Sequence, residues 1–227
     1  MPPIDTAVGD SDSVDRMLSG ARAAVVVVDV QHDFTRRDGV LGIEGRDVDR
    51  CRKIVQPIND FLSTARGHGI PIVFTQMLGD PRSTSEAWSL VGAANARGDR
   101  VVCEVESWGA ELDSELAIRP GDHVVTKHRA SAFIDTDLEK ILKELGCDTI
   151  LVCGLTAEVC VESTARHAFM LDYHVVLLDD LISSLDADAE EHALSILQRH
   201  FAHIRSSSDL KSIWKQGIHP IEHERKN

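Results

Sequence analysis

The sequence lacks long apolar runs, an excess of positive charge and any cysteine pair at metal-ligand spacing. Its longest unbroken apolar stretch, AAVVVV (23–28), is far shorter than the roughly 20 residues that a membrane-spanning helix needs. A net charge of -13 argues against the basic face that nucleic-acid binding requires, and against docking on an anionic membrane. The first residues, MPPIDTAVGDSDSVDRM, lack the basic and apolar regions of a signal peptide. These absences disfavour membrane and nucleic-acid-binding functions.

Cysteine usage indicates the compartment. The chain has five cysteines, an odd number, with no CxxC motif and no Cys/His cluster. This composition disfavours a disulfide framework and a zinc knuckle, and it favours a reducing cytoplasm. We therefore expect a cytoplasmic protein.

The chain alternates strand-like and helix-like segments. Continuous β-branched runs are typical of strands buried on both faces, and apolar residues at helical spacing indicate amphipathic helices. The predicted strands are 23–30, 70–76, 123–127, 148–154 and 174–180. The predicted helices are 48–69 with Pro57 near a kink or boundary, a short one around 85–96, 135–146, one that starts near Ala157, and 186–202.

Strands that alternate with helices of this length imply βαβ units and hence a parallel sheet. A chain of 227 residues suits one well-packed domain better than two. The sequence therefore predicts a single α/β domain over residues 19–215, with helices on both faces of the sheet. We expect residues 1–18 to form a flexible leader and residues 216–227 a poorly ordered tail.

Three residues stand at one edge of the predicted sheet, where open parallel sheets bind ligands. Asp29 ends the first strand, Lys127 ends the third, and Cys160 opens the helix after the fourth. Each residue also has a simpler interpretation: Asp29 as a capping acid, Lys127 as a solvated lysine and Cys160 as a buried thiol. A haloacid-type phosphatase would need a second Asp at the position of Gln31. Nucleotide binding has no support, because neither a P-loop nor a GxGxxG motif is present.

Cys160 has the best local argument for chemistry. A helix N-terminus is expected to lower the pKa of a thiol, because it places partial positive charge beside the sulfur. The turn in GLTAEVC (154–160) could also direct backbone amides at an oxyanion. On local context alone, a nucleophile and a buried thiol remain equally good interpretations.

Three motifs in order, VVVVDVQHDF (25–34), VVTKHRASAF (124–133) and CGLTAEVCVESTARHA (153–168), resemble those of the isochorismatase-like cysteine hydrolases. The resemblance covers about residues 22–205 and is greatest to the ureidoacrylate- and carbamoyl-type amidohydrolases. It implies a doubly wound, Rossmann-like parallel sheet, and a homo-oligomer, either a dimer or a tetramer. It also implies a small-molecule amide or ureido substrate, and the net charge leads us to expect no nucleic-acid or membrane partner.

The resemblance assigns roles to the three residues. Asp29 would be the base, Lys127 the third member of the triad, and Cys160 the nucleophile that forms a thioester during C–N bond hydrolysis. The family's cis peptide bond would map to Leu155–Thr156, with the amides of Thr156 and Cys160 forming the oxyanion hole. Such a bond without proline costs about 3 kcal/mol.

Departures from the family pattern narrow the substrate. Zinc-binding nicotinamidases of the family carry histidines after the second strand, but TQMLGDPRSTSEAW (75–88) has none, so we expect no metal and no cofactor. Ala130 stands where the nearest subgroup commonly has tyrosine, which predicts a larger or less polar pocket. His32 and His128 are interpreted as structural or exposed. Candidate substrate-binding residues, for which core packing is the rival interpretation, are Gln31, Phe34, Trp108, Phe133 and Leu155.

Two alternatives stay open. An isochorismatase that cleaves a vinyl ether should tolerate the loss of the thiol, whereas an amidohydrolase should not. A non-catalytic, oligomeric binding member of the family is the second alternative. A remodelled pocket around Ala130 would favour it, and the presence of Asp29, Lys127 and Cys160 counts against it.

Overall fold

The computed structural model describes residues 22–80, 82–95 and 100–215, together with Val14, Asp15 and Leu18. Apart from those three residues, the predicted leader (1–18) lies outside the described residues, and so does the predicted tail (216–227). No helix in the described part of the chain is long and apolar enough to cross a membrane.

Strands and helices alternate along most of the chain. The strands are β1 (Ala23–Val28), β2 (Ile72–Met77), β3 (His123–Lys127), β4 (Thr149–Gly154), β5 (His174–Ile182) and β6 (His203–Arg205). The helices are α1 (His32–Thr35), α2 (Val40–Ile43), α3 (Val48–Arg52), α4 (Val55–Gly67), α5 (Glu86–Asn95), α6 (Leu138–Glu144), α7 (Glu162–Met170), α8 (Ala187–His200) and α9 (Ser207–Lys215). A 3₁₀ turn (Trp108–Ala110) and a π-helical turn (Ala157–Val161) complete the described elements.

The six strands form one sheet in the order β3-β2-β1-β4-β5-β6, and every pairing is parallel. The chain starts in the middle at β1, winds outward through β2 and β3, and then returns to place β4 on the other side of β1. The prediction of a doubly wound parallel sheet is therefore confirmed. This arrangement puts the topological switch point between β1 and β4, where ligands bind in open α/β sheets.

The alternating side chains of β1 supply two separate cores. Val25 and Val27 pack on one face of the sheet with residues of α4 and α9, while Ala24, Val26 and Val28 pack on the other face with residues of α6, α7 and α8. Each buried valine contributes roughly 1.5–3 kcal/mol relative to an exposed one. Burial on both faces explains why this strand is a continuous apolar run.

The structure corrects several predicted boundaries. The helix predicted over 48–69 is two helices, α3 and α4, with Lys53 and Ile54 between them. Pro57 lies in the first turn of α4, where its missing N–H has no partner to lose, so the predicted boundary near it is confirmed. The sequence patterns missed α1, α2, β6 and α9, which are short elements or lie at the end of the domain.

Candidate active site

The three candidate residues lie at the carboxyl edge of the sheet, on both sides of the switch point. Asp29 directly follows β1 and adopts a left-handed conformation (φ 47°), which Asp tolerates better than most residues. Lys127 is the last residue of β3. Cys160 lies in the π-helical turn that follows β4 and precedes α7.

The structure brings the three side chains together. Lys127 Nζ lies 2.7 Å from Asp29 Oδ2, and both side chains are fully buried. The same ammonium lies 3.3 Å from Cys160 Sγ. Cys160 itself is 7% exposed. An acid, an ammonium and a thiol from three different strand ends thus share one buried site.

Main-chain and hydroxyl groups complete the coordination of the two charges. Lys127 Nζ also donates to Arg129 O at 2.9 Å and to Ala130 O at 3.0 Å. Thr75 donates its hydroxyl to Asp29 Oδ1 at 2.6 Å. Burial acts to lower the pKa of Lys127, but the neighbouring Asp29 and Cys160 outweigh it and raise the pKa overall. Lys127 is therefore a permanent cation at neutral pH.

The pKa of the Cys160 thiol is raised, because it is buried and lies beside the negative charge of Asp29, whereas Lys127 acts to lower it. The expectation that the helix N-terminus lowers this pKa was therefore wrong. Loss of hydration outweighs the favourable charges, since a thiolate in a dry site is costly. The resting thiol is protonated, and a base must accept its proton before it can attack.

The turn after β4 is shaped by Gly154 and the peptide that follows it. Gly154 has φ 111°, and a Cβ at this position would lie 2.2 Å from Val28 O, so the close approach of β4 to β1 requires glycine. The Leu155–Thr156 peptide bond is cis, as the resemblance implies. Leu155 is fully buried in the core, and Thr156 is 6% exposed.

Gln31 and Trp108, two of the five candidate pocket residues, make specific contacts with other segments of the chain. Gln31 is fully buried; its amide nitrogen donates to Met77 O at 2.8 Å and Ala110 O at 2.7 Å, and its carbonyl accepts from Met77 N at 2.9 Å. Its amide groups therefore hold two chain segments in place. Trp108 is 45% exposed, and its ring stacks on the buried imidazole of His32.

The remaining candidates are packed to different degrees. Phe133 belongs to the same apolar cluster as Cys160, and its ring contacts those of His167 and Tyr173. Phe34 is partly buried against the cluster on the opposite face of the sheet. Leu155 is a core residue of that same cluster.

Some functional contacts were not identified from the sequence. Thr75 holds Asp29, and Met77 Sδ lies 3.8 Å from Lys127 Nζ. Both belong to β2, between the strands that carry Asp29 and Lys127, so neighbouring strand ends in the parallel sheet could have indicated them. Thr164 in α7 accepts a hydrogen bond from Ala132 N at 3.1 Å, which joins the segment after Lys127 to the helix after Cys160.

The other thiols lack the contacts of Cys160. All five cysteines are free. Burial raises the pKa of Cys51 to about 12 and that of Cys147 to about 11. Within the described ranges, no group of three or more His, Cys, Asp or Glu side chains could hold a metal ion.

Comparison with known proteins gives consistent results. The isochorismatase domain model matches residues 23–209. A ureidoacrylate amidohydrolase RutB from Pseudomonas savastanoi pv. phaseolicola is 32% identical over 86% of this chain and 84% of its own. The crystal structure of a cysteine hydrolase from Pseudomonas syringae pv. phaseolicola superposes with TM-score 0.73 at 26% identity, over 86% of this chain and 93% of that one. An N-carbamoylsarcosine amidase from Thermoplasma acidophilum superposes with TM-score 0.66 at 26% identity, over 82% and 96% respectively.

Proposed function

We propose a catalytic triad for this chain, which belongs to the isochorismatase family and is a hydrolase acting on C–N bonds. The triad consists of Asp29, Lys127 and Cys160. The proposed reaction is hydrolysis of a small ureido or carbamoyl compound through a thioester on Cys160. The observation that carries the proposal is the contact of one buried ammonium with both the carboxylate of Asp29 and the sulfur of Cys160.

The first step follows from the protonated state of the thiol. Asp29 accepts the proton of Cys160 as the sulfur attacks the substrate carbonyl carbon, and the carbonyl electron pair moves onto its oxygen. When the proton moves to Asp29, the negative charge beside Lys127 shifts from the carboxylate to the reacting sulfur. The ammonium therefore stabilises both the resting carboxylate and the developing charge around the sulfur.

The tetrahedral intermediate then collapses. Its oxygen re-forms the carbonyl, the C–N bond breaks, and the leaving nitrogen takes the proton from Asp29, which yields an amine or ammonia and a thioester. Water, deprotonated by Asp29, attacks the thioester carbon; the C–S bond breaks and Asp29 returns its proton to the sulfur, which releases a carbamic acid and the free thiol. We propose that the main-chain amides of Thr156 and Cys160 hold the oxyanion in both halves.

The substrate class rests on the named relatives and on the environment of Ala130. The similar proteins include one named for ureidoacrylate and one named for N-carbamoylsarcosine, and both compounds carry a carbonyl between two nitrogens. Ala130 is partly buried against the cluster that contains Cys160, and its small side chain favours a substrate with a bulky substituent. We place Trp108 and Phe133 as pocket walls.

The test is a search for the thioester. Purified protein is incubated with a panel of ureido acids, N-carbamoyl amino acids and simple amides, while ammonia release is measured and Cys160 is analysed by mass spectrometry. We expect turnover of a ureido or carbamoyl compound, and an acyl adduct on Cys160 that accumulates when deacylation is slow. Full turnover by Cys160→Ala would refute the mechanism, and retention of vinyl-ether cleavage alone in that variant would support an isochorismatase instead.

We also propose that the protein is a cytoplasmic homo-oligomer. The five free thiols suit a reducing compartment. Large apolar side chains are exposed on the described surface, among them Leu90 at 66% and Met170 at 68%, which favours association between copies. Analytical ultracentrifugation tests this directly, and a monomer at micromolar concentration would contradict it.

A further inference from the structure

The segment Cys103–Asp113, called the cap segment below, is attached to the residues that follow Asp29. Asp33 accepts the backbone N–H of Cys103 at 2.6 Å, and Gln31 donates to Ala110 O at 2.7 Å. His32 N donates to Glu111 O at 3.1 Å. These contacts join segments about 75 residues apart in sequence, which shows that the first loop of the sheet holds the cap segment in place.

The cap segment lies beside the proposed triad. Burial raises the pKa of Cys103, and so do the carboxylates of Asp33 and Asp29, while Lys127 acts to lower it. A chain of contacts gives the same placement, since Gln31 binds both Ala110 and Met77, and Met77 Sδ is 3.8 Å from Lys127 Nζ.

His32 makes two contacts with Trp108, the exposed aromatic residue of the cap segment, and a third with the main chain of Ser114. The imidazole and indole rings stack with centroids 4.2 Å apart and planes 14° apart. His32 Nε2 accepts the backbone N–H of Ser114 at 3.0 Å, so the ring proton is on Nδ1, which donates to Trp108 O at 2.9 Å. The imidazole thus donates through Nδ1 and accepts through Nε2, and it is buried to 2% exposure beneath a half-exposed indole.

We propose that His32 is a positioning residue for substrate binding: its Nδ1–H holds Trp108 beside the triad, where the indole forms one wall of the substrate site. The proposal rests on the proposed hydrolase function of the triad. Among the contacts of the described residues, the His32 side chain makes none with Asp29, Lys127 or Cys160. Its loss should therefore weaken substrate binding and leave the chemistry of the thiol unchanged.

The neighbouring residue Gly109 shows how closely the cap segment is fitted. A Cβ at Gly109 would lie 2.2 Å from a carboxylate oxygen of Asp33, and that carboxylate also binds the main chain of Val40 at 2.7 Å. Asp33 and Gly109 therefore support the fold of the segment as a whole. His32 differs because its side chain reaches the carbonyl and the ring of Trp108, the exposed aromatic residue of the segment.

The experiment compares three substitutions that separate the two hydrogen bonds of His32. Asparagine places an amide N–H where Nδ1 lies and keeps the donor to Trp108 O, glutamine reaches toward Ser114 N–H but loses that donor, and alanine loses both. For the best ureido or carbamoyl substrate, we expect KM to rise about tenfold in His32→Gln and His32→Ala and less than threefold in His32→Asn. In all three variants kcat and the rate of Cys160 alkylation by iodoacetamide should stay within threefold of the parent.

A second readout requires no turnover. In a Trp88→Phe/Trp214→Phe background, Trp108 is the remaining indole, and acrylamide quenching of its fluorescence should increase in His32→Gln but not in His32→Asn. For the KM measurement, which is made without the tryptophan substitutions, the matched control is His68→Gln, because His68 also lies against a tryptophan, Trp214, with ring centroids 5.5 Å apart. Trp214 belongs to α9, and the control should leave KM unchanged.

The outcomes are distinct. A kcat loss equal to the KM change, or KM unchanged in His32→Ala, would overturn the positioning role. Rescue by glutamine instead of asparagine would overturn the assignment to the Nδ1 contact. If the parent protein hydrolyses none of the panel, the proposed function fails, and the quenching measurements still confirm or overturn the hold of His32 on Trp108.

Discussion

Cys153 and Cys160 lie seven positions apart in the sequence, and both are buried thiols with raised pKa values. Cys153 belongs to β4, where burial and the charge of Asp180 keep its proton in place. Cys160 has the same tendency but lies against Lys127 and near Asp29. The comparison shows that a low resting pKa does not distinguish the candidate nucleophile. A nearby proton acceptor paired with a cation does.

The largest expected difference between the two thiols is in turnover. Cys160→Ala should lower kcat/KM by about 10⁴-fold or more, the scale seen when a triad nucleophile is removed. Cys153→Ala should stay within threefold of the parent and lose about 1 kcal/mol of stability from the small cavity it leaves. Steady-state kinetics and urea unfolding measure both effects. Comparable loss of activity in the two variants would end the distinction between them.

The second prediction concerns the charge pair that sets Cys160 apart. Lys127→Met leaves Asp29 buried without its cation, so we expect a loss of about 3–5 kcal/mol in unfolding free energy together with loss of activity. The double variant Asp29→Asn/Lys127→Met removes both charges and should recover much of the stability but none of the activity. If urea denaturation shows that the double variant loses as much stability as Lys127→Met and Asp29→Asn lose together, the pair is not coupled.

A smaller effect is expected at Gly154, between the two cysteines. Gly154→Ala should cost about 3 kcal/mol, because the added methyl group meets Val28 O in a left-handed backbone conformation. The displaced turn should impair activity while Cys153 stays in its strand. Gly146→Ala is the matched control, since Gly146 has φ 69° with open space around it, and it should cost about 1 kcal/mol. Equal losses would show that close packing against β1 is unimportant.

The smallest effect extends the comparison to Cys51, a buried thiol whose pKa is about 12 in the folded protein. Because its folded pKa is raised, its contribution to stability is complete below pH 9.0 and is lost as the pH rises toward 12. Between pH 9.0 and 10.5 the parent should lose about 2 kcal/mol more than Cys51→Ala, at about 1.4 kcal/mol per pH unit. Parallel pH profiles of the two proteins would contradict this shift.

Most of the correct predictions follow from the rule that the carboxyl ends of parallel strands lie at the same edge of the sheet. The bounds of β3 were correct, and three strand ends at one edge were enough to bring Asp29, Lys127 and Cys160 together. The thiol's pKa was predicted in the wrong direction because local sequence shows a helix N-terminus but not the depth of burial. The break between α3 and α4 was missed because the apolar spacing continues across it.

Contacts between distant segments were beyond any local pattern. The stack of His32 on Trp108 joins residues 76 positions apart, and the Thr75 hydroxyl reaches Asp29 from 46 positions away. Such pairs depend on how crossovers and loops fold back, which periodicity does not record. The sequence placed the chemistry at an edge of the sheet, and tertiary packing determined which side chains support it.

Lys127 belongs to β3, the outermost strand of the sheet on its side, which pairs with β2 alone among the described strands. An outer strand can detach at a lower free-energy cost than a central one, because fewer hydrogen bonds and contacts must break. The cation that serves the proposed nucleophile is therefore held by one of the sheet's least secured strands. Inactivation by mild denaturant should accordingly precede the collapse of the central strands, so that catalytic competence reports on the periphery of the fold.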